Sequence, residues 1–261
     1  MSDNFNIKSI ECELINNSII TDEFFILQFY WEYQPPRAGQ FFMMKPSRSS
    51  VYLQRPISVF EYNSQQKIVR FLIAKRGKGT CELSELQSGD KVFLTGPLGN
   101  AWLDFLPETG KFALVGGSVG VAPLSALVAE KPDAFFHFFA GFKQGFRGKD
   151  EENAIMGNAL YAKKLVISAE DGKNALIGRI VDFIYEPQDY DALFACGPIP
   201  MLRALKKKCE AKNVPCFISM ESRFGCGVGA CLGCTIKTVN GNRCCCKHGP
   251  IFPANEVLLD E

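Results

Sequence analysis

Three cysteines near the end of the sequence, Cys226, Cys231 and Cys234, stand in the spacing C-x4-C-x2-C. Thiolates are the ligands of iron–sulfur clusters, and this is the plant-type [2Fe–2S] spacing, which takes a fourth thiolate from further along the chain. Gly225, Gly227, Gly229 and Gly233 are interleaved with the cysteines. They free the backbone to curve tightly and to aim N–H groups at sulfur, where such bonds tune the metal. A structural zinc site would use C-x2–4-C pairs followed by a second pair, and three ligands among four glycines fit that poorly. The fourth ligand must come from the consecutive Cys244, Cys245 and Cys246. Read as an extended segment, Cys244 and Cys246 share a face and Cys245 points away, so spacing leaves two choices.

Four other stretches suit phosphate or nucleotide, each weak by itself. In Arg55-Pro56-Ile57-Ser58, on an expected strand, the guanidinium can grip a phosphate bidentately and the hydroxyl can donate or accept. Gly77-Lys78-Gly79-Thr80 precedes a short helical stretch over 81–86, with Thr80 as its N-cap; a helix start behind a glycine turn is an anion site. Gly116-Gly117-Ser118-Val119-Gly120 follows one expected strand and opens a helix, like a dinucleotide loop but without the G-x-G-x-x-G order. Cys196-Gly197-Pro198 ends another strand at the sheet edge where α/β folds place ligands. Taken singly, Cys196 reads as a buried structural thiol.

These residues need elements to hold them. The chain has 261 residues, 47% of them hydrophobic, with 23 glycines and 14 prolines, enough for one large or two modest domains. Its first hundred residues read as short strands, at 24–31, 67–74 and 91–94, between Pro- and Gly-rich turns, which suggests an antiparallel barrel or sandwich. From Lys111 the rhythm changes to buried strands at 111–115, 134–140, 164–168, 191–196 and 215–220, separated by helical stretches such as 199–212. Strand–helix alternation marks a parallel α/β sheet. The boundary falls within 96–110, and the tail from Glu221 has too little core to fold without its cysteines.

Composition excludes several functions. With 29 basic and 28 acidic residues the net charge is +1, which gives no footprint for nucleic acid. No apolar run reaches the ~20 residues that span a bilayer, and residues 1–8 alternate polar with apolar, so no signal peptide is expected. Eleven cysteines, six of them between residues 226 and 246, are then better read as metal ligands than as disulfides, and the expected compartment is the cytoplasm.

The order of the motifs, R-P-x-S, G-x-G-T, G-G-x-x-G-x-A-P-L, C-G-P and then C-G-x-G-x-C-x-x-C, resembles the ferredoxin-reductase-like flavoproteins. Over essentially the whole chain it resembles, within them, the electron-transfer subunits of dihydroorotate dehydrogenase B. Ser222-Arg223-Phe224-Gly225-Cys226 and His248-Gly249-Pro250-Ile251-Phe252 also match their cluster region. The resemblance implies a multidomain chain: an N-terminal antiparallel β-barrel carrying FAD (residues 1–105), a central α/β parallel-sheet nucleotide-binding domain for NAD (106–220), and a small C-terminal [2Fe–2S] subdomain (221–261).

It also implies roles. Arg55, within the Arg55-Pro56-Ile57-Ser58 motif, holds the FAD pyrophosphate, and Ser58 lies near the flavin ring. Gly79 and Thr80 receive phosphate. The strand Leu72-Ile73-Ala74 borders the cofactor, with Ile73-Ala74 in place of a frequent Tyr-Arg. Gly116, Gly117 and Gly120 line the nicotinamide-nucleotide loop, where Ser118 replaces a third glycine. Cys196, with Gly197 and Pro198, lies near the nicotinamide. Cys246 is the fourth cluster ligand by its place before Gly249-Pro250, and His248 replaces the usual acidic residue there.

A flavin can take electrons singly and deliver a hydride, so it matches a one-electron cluster to NAD. Two histidines and no Ser/His/Asp set leave substrate oxidation to a partner. The resemblance names it as an FMN-containing catalytic subunit that oxidises dihydroorotate to orotate in pyrimidine biosynthesis, in a heterotetramer of two of each. Electrons then pass through [2Fe–2S] and FAD to NAD. The alternatives are the small subunit of an NADH-dependent ferredoxin–NADP reductase or sulfide dehydrogenase and, from another class, a zinc-tailed binding module without redox function. Lys143, Arg147 and Lys149 leave NAD against NADP open, since they could accept a 2′-phosphate.

Overall fold

Strand β2 (Phe24–Tyr30) explains why the first hundred residues read so apolar. The computed structural model describes residues 8–221 and 223–259; Ser222 of the cluster motif and the first residues, on which the expectation of no leader rests, lie outside them. Along β2, Phe25, Leu27 and Phe29 point into one core and Phe24 and Ile26 into another. A strand covered on both faces needs an unbroken apolar run, and the period-2 geometry divides it between them.

β1 (Lys8–Ile19) and β2 belong with β3 (Phe41–Pro46), β4 (Arg55–Ser58), β5 (Glu61–Asn63), β6 (Ile68–Ala74) and β7 (Lys91–Leu98) to one antiparallel sheet, in the order β4-β3-β7-β1-β2-β6-β5. It is a half-barrel, open between its two edge strands, with Trp31, Phe42 and Phe71 buried inside. The short helix α1 (Lys78–Ser84) leads from β6 toward β7. β3 and β6 are shared in the same way as β2: Phe42 and Met44 face the half-barrel core while Phe41 and Met43 face outward, and Leu72 and Ala74 turn their backs on Phe71 and Ile73.

The second sheet is built from β8 (Lys111–Gly117), α2 (Val121–Glu130), β9 (Phe135–Phe142), α3 (Lys149–Met156), β10 (Lys164–Ala169), β11 (Leu176–Ile177), β12 (Ala192–Cys196), α4 (Ile199–Glu210) and β13 (Cys216–Ser219). Its order, β11-β10-β9-β8-β12-β13, is parallel throughout. From β8 the chain goes first to β9 on one side and later to β12 on the other, so the strand order reverses between β8 and β12. Open α/β sheets bind ligands at such a point.

The tail runs through the hairpin β14 (Thr235–Thr238) and β15 (Gly241–Cys244), one helical turn α5 (Cys245–His248), and β16 (Ile251–Pro253). β16 returns to the second sheet and pairs antiparallel with β13. The cysteines are therefore not the tail's sole organisers. Phe224, Phe252, Val257 and Leu259 pack into one core with Phe41 and Met43 of the half-barrel and Ile218 of β13.

Candidate functional site: a cysteine loop beside two clefts

The Arg-Pro-x-Ser and Gly-x-Gly-Thr stretches meet in space. Gly79 lies against the guanidinium of Arg55, and a Cβ there would come within 2.8 Å of Arg55 Cζ. A side chain there would displace the guanidinium from its place over the first turn of α1. Arg55 is held from below by the carbonyls of Leu53 (2.7 Å) and Gln54 (3.3 Å), which accept from its Nη1. Thr80 is not the N-cap that the sequence suggested. The cap is Gly77, in extended backbone, and the helix begins at Lys78. Thr80 reaches back from the third position, its Oγ1 accepting from the amides of Arg76 (2.8 Å) and Gly77 (3.2 Å). A threonine there restrains the turn as firmly as a capping side chain would.

Next to this turn lies a cleft of about 200 Å³. Its walls are Ser58 of β4, Leu72 and Ala74 of β6, Thr80, and from the tail side Glu221 and Phe224. Glu221 was not anticipated, because one acidic residue between motifs carries no pattern. Glu221 keeps contact with solvent, yet desolvation by the packed cleft walls around it raises its carboxyl pKa, and the nearby Arg76 partly offsets this.

A second cleft, of about 430 Å³, opens at the ends of β8 and β12. Gly117, Ser118 and Pro198 form its floor. Gly116 and Gly120 stand behind it: a Cβ on Gly120 would lie 2.9 Å from Gly197 N and one on Gly116 2.8 Å from Val121 Cγ1. Gly120 lets the β8–α2 and β12–α4 loops touch and Gly116 lets α2 close on β8, packing requirements as much as ligand ones. Gly197 has φ +154° and its own close neighbour in Gly117 N, 2.9 Å from where a Cβ would be. Ser118 has φ +52°, a region that favours glycine. Cys196 lines neither cleft; it is 1% exposed, and burial pushes its thiol pKa far up while a bond to Ser219 opposes this. Of the three basic residues considered for a 2′-phosphate, Lys143 reaches the cleft. Arg147 pairs with Asp22 (3.3 Å) and Lys149 with Glu152 (2.6 Å). Glu170 and Arg179 also line the cleft, on loops that no sequence periodicity marks.

In the tail, the sulfurs accept bonds from the backbone. Val228 and Cys231 amides donate to Cys226 Sγ, both at 3.4 Å, Gly233 N–H to Cys231 Sγ at 3.4 Å, Gly229 N–H to Cys246 Sγ at 3.1 Å and Cys246 N–H to Cys234 Sγ at 3.4 Å. Cys234 and Cys246 Sγ atoms are 3.2 Å apart. Burial tends to raise the pKa of Cys226, but the amides of Cys231, Val228 and Ala230 outweigh it and lower the thiol to about 6. At Cys246 burial and the adjacent Cys234 push the thiol up to about 12.

The expectation of an extended segment through the three adjacent cysteines is corrected here. β15 ends at Cys244, and Cys245 begins α5. A residue two further on in a helix does not share a face, so Cys244 and Cys246 part company. Cys244 Sγ sits 3.6 Å from Thr235 Oγ1 in the hairpin, Cys245 is wholly buried, and Cys246 faces Cys234. His248 stabilises this turn: its Nδ1 accepts from the Cys244 amide at 3.0 Å.

Among the described residues, no three His, Cys, Asp or Glu side chains gather closely enough for one metal ion. The thiols meet in twos, Cys226 with Cys231 and Cys234 with Cys246. A two-iron cluster with four thiolate ligands fits that donor set, and the amides aimed at sulfur fit its negative charge.

Residues 221–258 match the family described as the iron-sulfur cluster binding domain of dihydroorotate dehydrogenase B. The chain is 37% identical over 249 residues to the dihydroorotate dehydrogenase B (NAD(+)) electron transfer subunit of Clostridium acetobutylicum, covering 95% of this chain and 97% of that one. It is 31% identical over 255 residues to that of Caldanaerobacter subterraneus, covering 96% and 98%. The chain belongs to this family.

Solved structures agree on the fold. An NADH-dependent reduced ferredoxin-NADP oxidoreductase structure superposes with a TM-score of 0.79 at 24% identity, over 95% of this chain and 90% of that one. A ferredoxin NADP+ reductase from Neisseria gonorrhoeae gives 0.65 at 14%, over 78% and 91%. At such identity they bear on fold alone. Two positions singled out in the sequence now have a local account. Ser118 adopts a backbone that suits glycine, and the His248 ring accepts a backbone amide. Asn100, which no motif flags, ties the tail to the half-barrel linker: its side chain exchanges hydrogen bonds with Ile251 (2.9 and 3.0 Å), and its amide donates to Gly249 O at 2.8 Å.

Proposed function

We propose that this chain takes electrons from an FMN-containing catalytic subunit that oxidises dihydroorotate to orotate, and passes them to NAD. The observation that carries this reading is the first cleft. One wall is the Ser58 and β6 side of the half-barrel, and the opposite wall is Phe224, two residues before Cys226. Phe224 in turn packs edge-on against Phe41, with ring centroids 5.0 Å apart. A flavin held there has the cluster loop on one side and the second cleft, through Arg76 and the Ser118 loop, on the other.

In this reading Arg55, supported by Pro56 and Ile57 on β4, holds the FAD pyrophosphate over Gly79 and Thr80, and Ser58, Leu72, Ile73 and Ala74 border the ring. Cys226, Cys231, Cys234 and Cys246 hold the [2Fe–2S] cluster. Gly116, Gly117, Gly120, Gly197 and Pro198 shape the NAD loop, and Cys196 backs the nicotinamide site from behind Ser219 with its thiol protonated. Bound FAD supplies the step from single electrons to hydride. Oxidation of dihydroorotate releases two electrons and two protons; NAD+ takes two electrons and one proton, so one proton is released. The functional division follows residues 1–105, 106–220 and 221–261. The complex is a heterotetramer of two chains of each kind. Among the described residues no helix is long and apolar enough to cross a membrane, and we assign the complex to the cytoplasm.

The isolated chain, reconstituted with FAD, iron and sulfide, is expected to oxidise NADH with an artificial one-electron acceptor and to leave dihydroorotate untouched. Adding the FMN-containing subunit should confer dihydroorotate-dependent NAD reduction. Turnover of dihydroorotate by this chain alone would refute the division of labour.

A further inference from the structure

Arg76 stands between the two clefts and lines both. Its backbone belongs to the first, with its amide bound to Thr80 Oγ1 at 2.8 Å. Its charge acts on Glu221 of the first cleft, and its side chain reaches the second: Nη2 donates to Ser118 Oγ at 3.0 Å and meets Glu23 Oε1 at 2.7 Å. Ser118 is part of the glycine loop that leads into α2, where the amides of a helix start favour an anion. The guanidinium is thus already on the loop where a dinucleotide would lay its phosphates. The pair with Glu23 is open to water, the two side chains being 63% and 37% exposed, and exposed pairs hold weakly. A guanidinium–phosphate pair is charge-assisted on both sides and can be bidentate, so it is the stronger bond. The cleft's other cations are Lys143 and Arg179; among the described residues it is Arg76 that bonds the Ser118 loop, whereas Arg179 pairs with Asp182 at 3.3 Å.

We propose that Arg76 is the pyrophosphate-binding residue of the second cleft, held over it by Glu23 until a dinucleotide displaces that carboxylate. The proposal rests on the reading that this cleft takes NAD(H). It also gives the half-buried Glu23 a purpose: it keeps the cation in place and is the group given up on binding.

The test uses the FAD- and cluster-loaded chain and titrates it with NADH and with ADP-ribose, which carries the pyrophosphate without nicotinamide, following perturbation of the flavin spectrum. Arg76→Gln should weaken both ligands about 10- to 100-fold, as loss of a charge-assisted bond does, with Arg76→Lys between it and wild type. Glu23→Gln should tighten both about two- to fivefold, the size of an exposed ion pair. Flavin content and the cluster spectrum should stay at wild-type values in all three variants.

Wild-type affinity in Arg76→Gln would overturn the proposal. So would equal weakening by Glu23→Gln, which would make the ion pair a strap between sheets, or loss of FAD from Arg76→Gln and Arg76→Lys alike, which would assign the residue to the first cleft. If the wild-type chain binds neither ligand, the reading of the cleft itself fails, and the proposal with it.

Discussion

The two pairs of cysteines at the cluster loop live in different surroundings. Cys234 and Cys246 are 2% and 5% exposed and belong to the core that joins tail, half-barrel and second sheet. Cys226 is half-buried and Cys231 exposed, on a glycine-rich loop whose tip presents Val228 and Leu232 to solvent. One pair is positioned by the fold. The other is positioned by backbone amides and by close contacts of its glycines, above all Gly227, which has φ +74° and would bring a Cβ within 2.5 Å of Met43 Cγ. Damage to the first pair should therefore reach the protein's stability, whereas damage to the second should stay local.

The largest expected effect is at Cys246. Cys246→Ser should abolish the cluster's visible absorption and also lower the stability of the metal-free chain by about 1–3 kcal/mol, the cost of a buried polar group with poor partners. Denaturant unfolding of metal-free protein checks the second part; Cys231→Ser should lose the cluster with almost no change there. Equal destabilisation by both serines would erase the distinction between the pairs.

Gly227→Ala ranks next. A side chain at positive φ, pressed on Met43, should cost about 1–3 kcal/mol and loosen the loop of the exposed pair. Gly225→Ala, with no positive φ and only Cys231 Sγ at 3.1 Å, should cost clearly less. Thermal unfolding of the two variants compares them directly.

A smaller effect concerns protonation. Cys226 has its thiol lowered to about 6, so in the metal-free chain it is a thiolate above that pH and protonated below it. The folded value lies under the unfolded one; any stabilisation from this group is present in full above the ordinary thiol range and lost as pH falls through 6. Alkylation of Cys226 by iodoacetamide should fall off with a midpoint near pH 6. A midpoint near 8.5, the value for a free thiol, would mean that the loop amides do not act on it. Smallest of all, Cys244→Ser and Cys245→Ser should leave the visible and electron-paramagnetic spectra of the cluster unchanged, because Cys244 faces Thr235 and Cys245 faces the core.

The spacing of Cys226, Cys231 and Cys234 was legible because a cluster demands local geometry, and local geometry leaves a short pattern. The second sheet was legible for a similar reason: each strand from 111–115 onward is covered on both faces, and all five expected strands appear within two or three residues of their places. β1 escaped notice because Glu11 and Glu13 alternate with Cys12 and Leu14, a half-exposed pattern weaker than its neighbours' aromatic runs. The helical turn at 245–248 was hidden because three cysteines have little preference, and tertiary packing under β14 and β15 decides their conformation. Arg76, Glu170 and Glu221 were invisible for a different reason. A charged residue on a loop gains meaning only from what the fold sets opposite it.

The pairing of β16 with β13, reinforced by the Met220 amide on Pro250 O at 2.8 Å, makes the cysteine segment an excursion whose two ends are stapled side by side on the sheet. Closing such a loop costs conformational entropy that grows only slowly, by about 0.6 kcal/mol for each doubling of its length. The solvent-facing tip around Val228 and Leu232 is therefore free to vary in length at little thermodynamic expense, whereas Phe224, Cys234 and Cys246 are held in the core. The first cleft takes Glu221 and Phe224 for its wall from the start of this excursion. A chain that lost its iron would still close its sheet on β16.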